Sequence, residues 1–376
     1  MEEGVDPPQP PLAQLREVQG ACDDRPMSER DAVADLRRIA FLLERAHEST
    51  YRVRAFRTAA AVLRTRDPDE IAHLVRSGEL VRLKGVGEVT ARCVAESVAG
   101  EEPVYLRRLE ATESTPLDDA ADALLTAIRG DCHSHTDASD GGSPLREMVE
   151  TAQFLGHDYL VITDHSPRLT VANGLSAERL RAQLEQVAEL NAELGSHELG
   201  SHPEGRAFRV LTGIEVDINE DGSLDQDEDL LAELDVVVAS VHSKLRMPRA
   251  EMTERMLTAV ANPHVDVLGH CTGRMVTGNR KRPESQFDAD AVFAACAENG
   301  VAVEVNSRPE RLDPPKRLLR LAVEAGCSFT IDTDAHAPGQ LDWLRNGCER
   351  AAACGVPAER VLNTWQVDEL LARSRA

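Results

Sequence analysis

From residue 131 onward, short apolar runs alternate with amphipathic stretches. The runs at 131–133, 158–163 (DYLVIT), 208–216 (FRVLTGIEV), 235–242 (DVVVASVH), 265–269 (VDVLG), 300–306 (GVAVEVN) and 327–333 (CSFTIDT) read as strands. Between several of them the spacing turns helical. In PLREMVETAQFLGH, residues Leu145, Met148, Val149, Ala152 and Leu155 share one face, and Gly156 supplies the stop. Seven strands alternating mostly with helices predict a parallel α/β barrel rather than an open sheet. Upstream the pattern differs. DAVADLRRIAFLLERA repeats Val33, Leu36, Ile39, Ala40 and Leu43 at helical spacing, and more short helical segments follow to about residue 110. The chain therefore divides into a tail at 1–30, an all-α domain at 31–110, a linker at 111–130 and a barrel at 131–376. The tail (PPQPP, QGACDDRP) has no periodicity and is expected to be flexible.

Charge sharpens that division. The 376 residues sum to −23, but 31–110 carry 14 Arg/Lys against 13 Asp/Glu, a net +1 that leaves −24 elsewhere. Such acidity excludes a protein sheathed in nucleic acid, though not a local basic surface. Lysine occurs only at Lys84, Lys244, Lys281 and Lys316, so positive charge is mainly arginine. An acidic, Pro-rich N-terminus and the lack of any run of about 18 apolar residues give no secretory signal and no membrane span. Eight scattered cysteines without a CxxC pair fit reduced thiols in the cytoplasm.

The chemistry lies at strand ends. Of twelve histidines, six stand at or just beyond the C-terminal end of an expected strand: His133 and His135 in DCHSH, His165 in TDHS, His242 in SVHS, His270 in LGHCTGR and His336 in TDAH. Glu215 in GIEVD and Asp334 in IDTDAH occupy similar places. A single histidine in such a loop is usually structural. Six with two carboxylates, all at the rim where a parallel barrel gathers its catalytic residues, predict a metal site for Zn, Mn or Fe. Residues 217–228 (DINEDGSLDQDE) also satisfy an EF-hand loop pattern, but FRVLTGIEV before them reads as a strand and not the entering helix that loop requires. The acidic turn is the simpler reading.

In order along the chain, DCHSH…SDG, ITDHS, GIEVDI, SVHS, LGH and TDAH resemble the successive motifs of the PHP (polymerase and histidinol phosphatase) family of metal-dependent phosphoesterases, over about residues 130–365. The resemblance implies a distorted seven-stranded (β/α)7 TIM-like barrel with three divalent metal ions. Carried over residue by residue, the first would be held by His133, His135, Glu215 and Asp334. The second would take Glu215 as a bridge with His242 and His270, and the third Asp140, His165 and His336. Family members differ at the Asp140 position, some having histidine there, so the third site is the one open to variation. His47, His73, His157, His197, His202 and His264 match no motif. Glu215, His242 and Asp334 are the expected catalytic centre, and the expected nucleophile is a metal-bound hydroxide, so no Ser or Cys nucleophile is required. Arg274, Arg308 and Lys244, each just past a motif, are candidate phosphate contacts, with ordinary rim charges as the alternative.

The N-terminal domain carries LVRLKGVGEVTARCVAESV, a Gly-x-Gly turn before a helix, in which Gly85 and Gly87 would present amides to a phosphate. With DLRRIAFLLERA and YRVRAFRTAAAVL it resembles the helix-hairpin-helix DNA-binding domain of family X DNA polymerases, some bacterial members of which carry a C-terminal PHP domain. Arg52, Arg54, Arg57, Lys84 and Arg92 would then contact DNA phosphates without reading sequence. Two departures limit the resemblance. Cys93 stands where lyase-competent members have a lysine, and about 30 residues between hairpin and Asp131 cannot hold a polymerase palm. The expected reaction is hydrolysis at DNA 3′ ends, as 3′–5′ exonuclease, 3′-phosphatase or both. Its rival is a small-molecule phosphatase of the histidinol-phosphatase type, in which the helical domain is an attachment; the overall acidity leans that way.

Overall fold

The computed structural model describes residues 30–112, 116–195, 207–277 and 281–374. Most of the expected tail, with His197 and His202, lies outside the described residues. The helical domain begins with α1 (Ala32–Arg45), whose N-terminal amides Val33 and Ala34 are capped by the Asp31 carboxylate. It continues through α2 (Thr50–Arg64), α3 (Pro68–Ser77), α4 (Glu88–Val98) and α5 (Val104–Glu110). Leu36, Ile39 and Leu43 of α1 are fully buried against Phe56, Leu63 and Val94, so the periodicity read from the sequence is the stripe around which this domain packs. Within the stretch expected to be a linker, α6 (Asp119–Ala127) lies against the barrel.

Seven strands follow: β1 (Gly130–Asp131), β2 (Tyr159–Ile162), β3 (Arg209–Asp217), β4 (Val236–Ser240), β5 (Val267–Leu268), β6 (Ala302–Asn306) and β7 (Phe329–Asp332). All pair in parallel and in chain order, forming a nearly closed barrel. Its closing edge is stitched rather than laddered. Ser134 bridges Ala335, and the Asn363 side chain spans the gap with bonds to Gly130 O (3.0 Å), Ile331 O (3.0 Å) and Asp332 Oδ1 (2.9 Å). Helices α7 (Leu145–Phe154), α8 (Ala177–Gly195), α9 (Glu228–Leu231), α10 (Arg249–Val260), α11 (Ala289–Asn299), α12 (Lys316–Glu324) and α13 (Leu344–Cys354) surround it, and α14 (Val367–Ser374) ends the described chain.

Strand alternation sets where the polar groups go. Ile214, Val216, Val303 and Val305 join one apolar cluster with the outer helices, while Tyr159, Leu211, Val236 and Ala302 join another, with Leu362, Leu370 and Leu371 of the C-terminal segment. The second set shares its strand faces with Glu215 and Glu304, two or four residues closer to the C-terminal rim. One face thus runs from an apolar floor to a polar top. Gly213 sits midway, where a side chain would press within 2.8 Å of Val161 and 2.7 Å of Val236 O. Asp266 is half-buried beside the start of β5, accepting Val237 N–H at 2.8 Å, and desolvation there pushes its carboxyl up to about 7. A carboxyl raised from its unfolded value near 4 favours the fold while protonated, so this contribution is lost as pH climbs from about 4 to 7. Asp266→Asn should remove that slope, melting above the parent at pH 8 but not at pH 4; scanning calorimetry at the two values checks this.

The two domains are fastened to each other. Arg57 pairs with Glu44 on α1 (2.6 Å) and with Glu147 on α7. Glu44 also accepts Gly339 N–H at 2.8 Å, Arg45 meets Asp342 at 3.2 Å, and Arg37 meets Glu150 at 2.7 Å. This corrects one expectation: Arg57 is not a DNA-facing charge, because three carboxylate–arginine contacts turn it into the domain junction.

Candidate metal centre and DNA-facing surface

The nine residues expected to bind metal converge at the barrel rim. His133 and His135 follow β1, His165 follows β2, Glu215 lies near the end of β3, His242 follows β4, His270 follows β5, and Asp334 and His336 follow β7. Glu215 is the hub. Its Oε2 lies 3.3 Å from His133 Nε2, 3.5 Å from His135 Nε2 and 2.9 Å from His165 Nδ1; Oε1 lies 3.1 Å from His242 Nε2 and 2.8 Å from His270 Nε2. Asp334 Oδ1 is 3.5 Å from His135 Nε2. Asp140 Oδ1 is 3.3 Å from His336 Nε2 and 3.5 Å from His165 Nε2. Among the described residues, three sets have donor atoms all within 4.8 Å of one another: His133, His135 and Glu215; His165, Glu215 and His242; and His135, Asp140, His165 and His336. The grouping differs from the expected one: His165 turns one ring nitrogen to Glu215 and the other to Asp140, His135 also joins the third set, and Asp334 and His270 fall in none of the three.

A cation suits this cluster. Both Glu215 oxygens, both ring nitrogens of His135, His242 and His270, His133 Nε2 and His165 Nδ1 are buried without a hydrogen-bond partner. Buried polar atoms are seldom left so, and divalent cations take this set of imidazoles and carboxylates. The electrostatics agree. Burial alone would raise Glu215, but His242, His165 and His133 hold it well below the ordinary carboxylate range. Burial and the nearby His336 and His165 push His135 well down, and burial with Arg311 brings His270 to about 4, so both offer neutral nitrogen. Against burial, Glu215 and Asp217 raise His242 to about 9.

Beneath the ligands lies a supporting layer that the sequence reading missed. Glu304 accepts His270 N–H at 2.5 Å and lies 2.6 Å from His133 Nδ1. Asp164 accepts from Thr136 Oγ1 (2.6 Å) and Gln183 Nε2 (2.6 Å), fixing the loop that carries His135 and Asp140. Asp217 Oδ1 accepts His242 N–H at 3.2 Å. Glu304 is the one carboxylate of β6 and Asp217 ends β3 two residues after Glu215, but neither letter by itself says what it supports. In the acidic loop after β3, Arg168 binds Asn219 (2.7 Å) and Asp225 (2.5 Å), and Ser223 binds Asp221, so those groups are committed to an ordinary turn.

The candidate phosphate contacts separate. Arg308 Nη1 reaches Asp334 O at 3.0 Å and lies 3.0 Å from His336 Nδ1, directly at the centre. Arg274 is turned aside, its guanidinium donating to the carbonyls of Arg311 (3.0 Å) and Leu312 and meeting Glu284 at 3.4 Å. Its expected phosphate role is corrected to bracing this loop. Lys244 is exposed, with a left-handed backbone at φ 53°. Arg311, overlooked in the sequence, is half-buried with Nε 3.0 Å from Asp334 Oδ2 and a buried Nη1 without a hydrogen-bond partner.

In the helical domain, Gly85 takes φ 98° with Thr58 packed beneath it, which admits only glycine. Gly87 differs from expectation: its N–H donates to Thr90 Oγ1 at 3.0 Å and is committed to the cap of α4. Arg54, Lys84 and Arg92 are exposed; Arg52 is exposed but bonded to Glu48 (2.7 Å) and Tyr105 (2.8 Å). Cys93 is buried, and burial pushes its thiol up to about 11.

Barrel and cluster together define a metal-dependent phosphoester hydrolase. Residues 131–308 match the PHP domain and residues 27–102 match a helix-hairpin-helix domain, so the chain is a PHP-domain protein with an N-terminal helix-hairpin-helix domain. It is 39% identical over 246 residues to the DNA polymerase/3′-5′ exonuclease PolX of Bacillus subtilis (strain 168), a match covering 65% of this chain but only 41% of that protein. It is 28% identical over 245 residues to a probable phosphatase of Thermoanaerobacter sp. (strain X514), covering 62% of this chain and 89% of that one. A solved histidinol phosphate phosphatase from Lactococcus lactis, complexed with zinc, L-histidinol and phosphate, has TM-score 0.44 and 18% identity, over 61% of this chain and 94% of its own.

Proposed function

We propose that this protein hydrolyses phosphate esters at DNA 3′ ends, as a 3′–5′ exonuclease, a 3′-phosphatase or both. The observation that carries this reading is the fastening of a helix-hairpin-helix domain beside the rim of the barrel by ion pairs and hydrogen bonds, supported by the exonuclease named in the Bacillus relative. His133, His135, Asp140, His165, Glu215, His242, His270, Asp334 and His336 would hold up to three divalent ions, Zn, Mn or Fe. Such ions supply Lewis acidity toward phosphoryl oxygens and make water more acidic. The chain's own groups do the rest. Arg308 and Arg311 place positive charge beside Asp334, where a substrate phosphate would meet it. Glu304 orients His133, and Asp217 orients His242. Arg54, Lys84 and Arg92 would hold the DNA backbone.

A small-molecule phosphatase is the second reading, favoured by the net −24 outside 31–110 and by the phosphatase relative matched over most of its length. One assay separates them. Mn-loaded protein is given 5′-labelled DNA with a recessed 3′ end, and phosphate release from histidinol phosphate is followed in parallel, each beside His242→Ala. A ladder shortening from the 3′ side that the variant lacks supports the DNA reading; intact DNA with brisk phosphate release overturns it. Glu304→Gln tests the supporting layer. Losing the charge behind His133 should weaken metal binding by about 10–100-fold, measured by competition with a chelator.

A further inference from the structure

The corner between α1 and α2 reaches the rim of the centre. His47 Nε2 lies 2.5 Å from Glu310 Oε1, and the other oxygen of Glu310 lies 3.6 Å from Arg308 Nε. The Arg308 guanidinium also stands 6.0 Å from the centre of the Trp343 ring. Trp343 is itself fixed by the helical domain, donating Nε1–H to Arg45 O at 2.9 Å and meeting the His47 ring edge-on at 5.7 Å. Two of the neighbours of Arg308, Glu310 and Trp343, are therefore contacted from the other domain. Glu310 is suited to this: burial would raise its carboxyl, but the His47 bond and the Arg308 charge keep it below the usual range, an anion that pairs with His47 and faces the Arg308 charge without a hydrogen bond to it. The backbone offers a separate sign. His47 follows the end of α1 at φ 54°, a left-handed position that glycine or asparagine normally fills. Glycine there would relieve the backbone and leave Glu310 without its partner.

We infer that the helical domain completes the phosphoesterase site: His47, acting through Glu310, is a positioning residue that holds Arg308 toward the substrate phosphate. The inference rests on the reading of Arg308 as a phosphate contact. It makes the helical domain necessary even for phosphate esters too small to touch its DNA-facing surface.

Calorimetric titration of the Mn-loaded full chain with inorganic phosphate tests it, with kcat and KM on p-nitrophenyl phosphate measured alongside. Arg308→Ala should weaken phosphate binding about tenfold, and His47→Gly, which suits the left-handed backbone, about fivefold, as for loss of a hydrogen bond to a charged group. His47→Gly should raise KM in proportion while kcat stays within about twofold, the mark of lost uniform binding. Added to Arg308→Ala it should cost nothing more, and His47→Gln, whose amide can still donate to Glu310, should recover most of the affinity. Unchanged phosphate affinity in folded His47→Gly, or losses that multiply in the double variant, would overturn the inference and leave Arg308 in its role. No loss in Arg308→Ala would overturn both. Melting temperatures establish that each variant is folded.

Discussion

Glu215→Gln is expected to abolish hydrolysis of every phosphate ester, DNA or small, while leaving the barrel folded. Glutamine keeps the shape of the side chain and exchanges one oxygen for an NH2 of similar size, so the packing under β3 should survive. The charge does not. Five imidazole nitrogens lie between 2.8 and 3.5 Å from the two Glu215 oxygens, and the amide would turn an NH2 toward one group of them. Removing one partner from a buried charge cluster costs about 3–5 kcal/mol, which is roughly 10²–10⁴ in affinity for cations sharing that carboxylate. Metal content after gel filtration, measured by plasma emission, should fall together with activity on p-nitrophenyl phosphate and on DNA. A Glu215→Gln enzyme that keeps its metal and more than a tenth of its activity would refute the placement of the centre on Glu215.

The sequence made that centre legible because each ligand sits where a strand ends, and strand ends in a parallel barrel meet. Periodicity places His165, His242 and His270 on the loops after β2, β4 and β5, so their convergence needs no knowledge of distances. What it could not show is direction. Glu215 and Ile214 are adjacent letters, yet one faces the histidines and the other the helices, a consequence of alternation once the strand register is fixed. The supporting layer was hidden for a related reason. Glu304 stands in an apolar run that reads simply as strand, and its carboxylate acquires meaning only beside His133, 171 residues away in the chain. The arginines were least legible of all. Arg274, Arg308 and Arg311 all lie in loops beyond strand ends, but Arg274 turns to backbone carbonyls while the other two turn to Asp334. A long flexible side chain is directed by whichever acceptor the fold brings near.

The same lesson separates Arg54 from Arg57, three residues apart on one helix, and their substitutions should have opposite signatures. Arg57 is mostly buried between Glu44 and Glu147. Arg57→Ala would leave Glu44, 5% exposed, with Gly339 N–H and no counter-charge, a loss of about 3–5 kcal/mol for a broken buried pair. Melting temperature should drop by several degrees, and p-nitrophenyl phosphate and DNA hydrolysis should decline together, because the domain junction loosens beside the metal rim. A second substitution, Glu44→Gln, removes the stranded charge and should recover part of the stability. Arg54 is exposed. Arg54→Ala should leave melting and p-nitrophenyl phosphate turnover unchanged while weakening DNA binding, and the slope of log affinity against log salt should shrink by about one for the phosphate contact removed. A selective loss of DNA binding in Arg57→Ala at unchanged melting temperature would show that Arg57 faces DNA after all. Equal behaviour of Arg54→Ala and the parent on DNA at every salt concentration would instead remove α2 from the DNA-facing surface.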